Sequence, residues 1–217
     1  MRRGAALLAT WGLAAAQVDH EIHDSRSPGY NGRPPLPAPE GMVLNIDTDV
    51  VATDGVAGHT TWRISAATGG EMQNMYAIFA DSNHTVVLPP AFQVPAPFGS
   101  DIGGPNPAFI AFNADVAFDS FLCVGDPNPA PGALAASPGF PVEGWAASET
   151  VALETTDGVI FYMDPFSGPA SDGAMIFAQL TLADATVAAG GTATAALQGR
   201  SGGEADDWEG YSVAWAR

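Results

Sequence analysis

The chain has 217 residues, 47% of them hydrophobic and 14% charged, so it is apolar enough to bury a core and is not a disordered polar chain. Twenty-four acids stand against seven arginines and no lysine, a formal net charge of −17. That balance argues against a phosphate-binding surface for nucleic acid or anionic lipid, because such affinity comes largely from cations that displace counterions.

Residues 1–16, MRRGAALLATWGLAAA, read as a secretory signal peptide. Arg2 and Arg3 form the charged start, Ala5 to Leu13 the apolar stretch, and the alanines at 14–16 the cleavage site. The stretch is too short to span a bilayer and no other segment reaches spanning length. The expected location is therefore secreted and extracellular, without membrane insertion. Residues 17–41 include SPGYNGRPPLPAPEG, whose five prolines make an extended linker. His20 and His23 lie there among acids, a donor set that suits zinc or copper. A linker does not preorganise a site, so the pair reads as part of a solvated tail.

The folded domain is expected over residues 42–217. The 25 glycines and 18 prolines, without a collagen period, imply many turns and many short strands. NIDTDVVATDG (45–55) reads as a strand end with acidic turn residues. TTWRISAAT alternates, with Trp62, Ile64 and Ala66 on one face and Thr61, Arg63 and Ser65 on the other. MYAIFA (75–80) and HTVVLPP (84–90) follow, the second stopped by proline. PAFIAFNADVAF has room for a short helical turn. FDSFLCVGD (118–126) reads as a core strand that turns at Gly125. GVIFYMD and AMIFAQLTLAD form the strongest late pair, the second with Ile176, Ala178, Leu180 and Leu182 on one uncharged face. GTATAALQG and GYSVAWA complete the series. The pattern predicts an all-β fold: an antiparallel, jelly-roll-like β-sandwich of about nine or ten strands with little helix and no internal repeat.

Site candidates are few. Cys123 is the only cysteine, and Asp119 and Asp126 beside it disfavour a thiolate, so it reads as a packing residue. Asp47, Asp49 and Asp54 offer oxygens to calcium, although their spacing is not that of a helix-flanked calcium loop. Asp164 and Asp172 bracket a loop of similar character. GGEADDWEG (202–210) sets Trp208 among Asp206, Asp207 and two glutamates. An exposed loop tryptophan stacks on a sugar ring while carboxylates bond hydroxyls or hold calcium; the competing reading is a charged hairpin whose tryptophan folds back on the core. Trp145, in FPVEGWAAS, is a second loop aromatic with the same two readings, whereas Trp62 and Trp215 read as core. Asn83 heads an N-glycosylation acceptor, NHT, in a turn. No spacing singles out a glycosidase carboxylate pair, a G-x-S-x-G nucleophile or a Gly-rich phosphate loop.

Trp62–Arg63, Tyr76–Phe79, Asp119–Phe121 with Val124–Gly125, and Ala178–Thr181 form an ordered set over roughly residues 59–200. This set resembles a secreted β-rich domain of aquatic bacteria and microalgae. The resemblance implies an extracellular scaffold and carries no active site with it. The chain departs from the pattern at Cys123, where a hydroxyl residue such as threonine is expected, and that favours packing over chemistry. Asp119 and Ser120 are expected to form a structural corner, the carboxylate accepting backbone N–H bonds.

The preferred reading is a secreted non-enzymatic module that binds extracellular glycan, with calcium as the cofactor its acidic loops suit. A structural matrix or coat protein with protein partners is the alternative, and a secreted polysaccharide-acting enzyme the next.

Overall fold

The computed structural model describes residues 44–68, 72–170, 173–190, 192–201 and 207–216. The expected signal peptide and linker, with His20 and His23, lie outside them. Among the described residues eleven strands form two antiparallel sheets, an all-β sandwich as predicted. The first sheet has the order β1 (Leu44–Thr53), β2 (His59–Thr68), β9 (Ala174–Ala183), β5 (Phe121–Gly125). The second runs β6 (Leu134–Ala136), β8 (Gly158–Tyr162), β3 (Met72–Ala80), β10 (Thr192–Ser201), β4 (Val86–Leu88), β7 (Leu153–Thr155), and β11 (Asp207–Ala216) also pairs with β10. Among the described residues helix is confined to α1 (Val142–Ala146), α2 (Asp184–Ala188) and three 3-10 turns, two of them in the predicted place at Pro107–Ala111 and Ala114–Phe118. Among the described residues no helix is long and apolar enough to cross a membrane.

The predicted alternation holds on the inner face except at Ile176, which is only half-buried: the register shifts between Ala178 and Ile176, and Met175 and Phe177 enter the core instead. Trp62, Ile64 and Ala66 of β2 and Ala178, Leu180 and Leu182 of β9 are buried in the core between the sheets, with Ile78, Leu122, Ile160 and Leu197. Removing such apolar area from water stabilises the fold by roughly 25 cal/mol per Å². The opposite face is not left to solvent throughout. Thr61, Gln179 and Thr181 are buried as well, because residues 89–119 pack over them. Thr181 Oγ1 donates to the Phe118 carbonyl, and the Thr61 and Thr181 hydroxyls meet at 2.8 Å. The Thr181 N–H donates to Ser120 Oγ at 2.9 Å, and the Phe92 N–H reaches the Thr181 carbonyl at 2.8 Å. Thr61, Ser120, Gln179 and Thr181 each have a partner here, which is what permits their burial, whereas Gln93 Nε2 in the covering layer has none among the described residues.

Asp119 is the corner of this layer. It is fully buried; Oδ1 accepts the Val94 N–H and Oδ2 the Ser100 N–H, both at 2.8 Å. The turn between those donors needs glycine at position 99, where a Cβ would stand 1.8 Å from the Val94 carbonyl oxygen. Burial raises the Asp119 pKa to about 6, with Asp101 adding to it and the backbone N–H bonds of Val94 and Ser100 opposing it. Cys123 is buried, and its thiol donates to the Ile176 carbonyl at 3.4 Å. Burial first, and Asp126 second, push that thiol's pKa up, so it is a packing group and not a nucleophile.

Candidate functional site

A cleft of about 420 Å³ opens where the segment 100–107 faces the segment 127–134. The floor is set by β5. Ile102 forms a parallel bridge with Leu122, the Leu122 N–H donates to the Asp101 carbonyl at 3.0 Å, and the Gly103 N–H returns to the Leu122 carbonyl at 2.7 Å. The segments approach closely at Gly104, whose N–H bonds the Pro127 carbonyl; a Cβ on Gly104 would stand 2.4 Å from that oxygen. Prolines restrict the backbone on both sides. Asn106 Oδ1 accepts the Ala108 N–H at 3.0 Å, and the Asn128 N–H is held on Asp126 Oδ1 at 2.8 Å. Ser100, Asn106 and Asn128 supply hydroxyl and amide groups, while Ile102 and Leu134 supply apolar surface. No ionisable side chain lines this cleft.

A second hollow of about 100 Å³ adjoins it, sharing Gly104, Pro107 and Asn128. Arg63 and Gln179 lie there against Ile110, Val116 and Phe121. Gln179 is fixed by three bonds. Its Nε2 donates to the Asp119 carbonyl at 2.8 Å and the Ala117 carbonyl at 3.2 Å, and its Oε1 accepts Arg63 Nε at 3.1 Å.

Sequence reasoning missed these residues, yet a signal was present. The tetrapeptide Pro-Asn-Pro-Ala occurs twice, at 105–108 and 127–130, and both copies contribute to the cleft. The expectation of no internal repeat overlooked it because each copy is shorter than any structural repeat unit.

The predicted candidates are dispersed. Trp145 is not a loop aromatic: it lies in α1, is fully buried, and its Nε1 donates to the Pro89 carbonyl at 3.0 Å, so it has no face for a sugar. Asp47 and Asp49 are exposed on β1, opposite Ser65 and Arg63 of β2. Asp54 shapes the β1–β2 turn at φ 56°, its Oδ1 accepting the Gly58 N–H at 3.1 Å. Among the described residues no three His, Cys, Asp or Glu side chains come together to hold a metal ion. Asp164 instead caps a 3-10 turn, accepting the Phe166 N–H at 3.0 Å and Ser167 Oγ at 2.8 Å, and those bonds lower its pKa. Trp208 and Asp207 open β11, in register with Gly199 and Arg200, so Trp208 belongs to a strand and not to a loop. Asp206 and Asp172 lie outside the described residues. Asn83 is exposed in a turn organised by Asp81, whose Oδ1 accepts the Asn83 N–H at 2.8 Å.

The chain matches no protein-family model, no curated protein and no solved structure.

Proposed function

We propose that this chain is a secreted, non-enzymatic β-sandwich module that binds an extracellular glycan in the cleft between residues 100–107 and 127–134. The observation that carries the reading is the chemistry of the lining. Two asparagine amides and a serine hydroxyl stand over an apolar floor, with no acid or base among them. Uncharged donors and acceptors suit sugar hydroxyls, and the paired Pro-Asn-Pro-Ala segments suit a polymer that repeats its hydroxyl pattern. Glycoside hydrolysis needs two carboxylates across the substrate, and this lining has none. Stiff prolines reduce the ordering cost of binding.

The test is a glycan array with the purified protein, run with calcium and with chelator, followed by titration of the best ligand. Ala130→Trp, at an exposed position in the lining, should block binding without moving the melting temperature. Asn128→Ala should weaken it. Silence of the array in both conditions would overturn the proposal.

Phe112, 80% exposed beside exposed Ile110, favours a second reading, a structural protein with protein partners. Concentration-dependent self-association that is lost in Phe112→Ser is its sign.

A further inference from the structure

Arg63 is an exposed cation in a chain of net charge −17. The only side-chain hydrogen bond it makes among the described residues is Nε to Gln179 Oε1, and no ion pair joins it to Asp49, its partner across the β1–β2 register. Gln179, 1% exposed and held by two carbonyls, cannot turn away. The guanidinium plane is therefore set through Nε, and the Nη donors remain for another group. A guanidinium anchored in this way offers a planar fork that matches a carboxylate. Ile110, Val116 and Phe121 line the hollow beside it.

We infer that Arg63 forms a carboxylate subsite, and that the glycan bound in the adjoining cleft carries an acidic sugar of the uronic type. This rests on the reading of the cleft as a glycan site. The hollow, about 100 Å³, admits a carboxylate but not a whole sugar with its hydration. The cleft beside it is about fourfold larger and shares the wall residues Gly104, Pro107 and Asn128, so a chain of sugars in the cleft can extend one unit's carboxylate to Arg63. A neutral sugar leaves the guanidinium to water.

The experiment titrates the full chain with an oligogalacturonate, with the same oligosaccharide after carboxyl reduction, and with a sulfated oligosaccharide. Wild type, Arg63→Gln and Arg63→Lys are compared, each checked for an unchanged melting temperature. The expected result is about tenfold tighter binding of the oligogalacturonate than of its reduced form, in line with one charge-assisted pair. Arg63→Gln should abolish that preference. Arg63→Lys, which keeps the charge without the fork, should lose most of it. Equal binding of both forms by wild type overturns the carboxylate subsite and leaves the glycan reading standing. Binding of neither form overturns the inference, and the glycan reading then rests on the array alone. Preference for the sulfated ligand, or a preference that survives Arg63→Gln, also overturns the inference.

Discussion

Asp119→Asn separates the two roles of the buried corner, hydrogen-bond acceptor and titrating acid. The native carboxyl group sits at a pKa of about 6 against a usual 3.8, chiefly because burial disfavours its charge. The folded protein therefore binds this proton more tightly than the unfolded chain does. The associated stability is complete below about pH 4 and is lost as pH rises through about 6. At 1.36 kcal/mol per pKa unit, the rise from 3.8 to about 6 amounts to about 3 kcal/mol. Asparagine does not titrate, but its Nδ2 cannot accept an N–H, so either Val94 or Ser100 loses its partner, at a cost of about 1–3 kcal/mol. Urea unfolding from pH 4 to pH 7 should show wild type well above the variant at pH 4. The two curves should converge or cross by pH 7. Repulsion among the remaining acids lowers both curves with rising pH, so the difference between the proteins is the measured quantity. Curves that stay parallel across this range would refute the titration of Asp119.

Cys123, buried with its pKa raised, should resist iodoacetamide in the native protein at pH 8 and react fully in urea; mass spectrometry reads both. Gly99→Ala should destabilise by about 2 kcal/mol or more or prevent folding, because its Cβ would overlap the Val94 carbonyl oxygen at 1.8 Å. Trp145→Phe should lower stability by about 1–2 kcal/mol through the lost bond to the Pro89 carbonyl, while glycan affinity stays unchanged, as titration would verify.

What could be read from residue order followed the range of the forces involved. A strand with one apolar face announces itself every second residue, and Trp62, Ile64 and Ala66 did so. Asp119 could be anticipated because an acid inside an apolar strand run needs backbone donors nearby. The burial of Gln179 and Thr181 depends on a cover contributed by residues 89–119, which no local period encodes. Trp145 misled because α1, five residues long, is too short to show a helical period, so the tryptophan read as a loop aromatic. The three-residue strands β6 and β7 were missed for the same reason. The cleft lies between two proline-rich segments that meet through β5 and a Gly104–Pro127 backbone contact, a tertiary coincidence. Only the repeated Pro-Asn-Pro-Ala marked it in advance.

An acidic protein that captures an acidic sugar must reconcile attraction at one residue with repulsion from the rest. The two act at different distances. The net charge of −17 is spread over the whole chain and repels a polyanion at long range. The Arg63 fork acts only in contact, inside a hollow with apolar walls. The screening length falls from about 30 Å at 0.01 M salt to about 8 Å at 0.15 M, which suppresses the repulsion far more than a contact pair. Oligogalacturonate affinity should therefore rise over this range, opposite to the fall shown by proteins that bind polyanions through basic surfaces. The carboxyl-reduced ligand should show no such rise. Calorimetric titration of both ligands at the two salt concentrations measures this directly. An oligogalacturonate affinity that falls steadily with salt would mean that an extended cationic surface, and not a single seated guanidinium, does the binding.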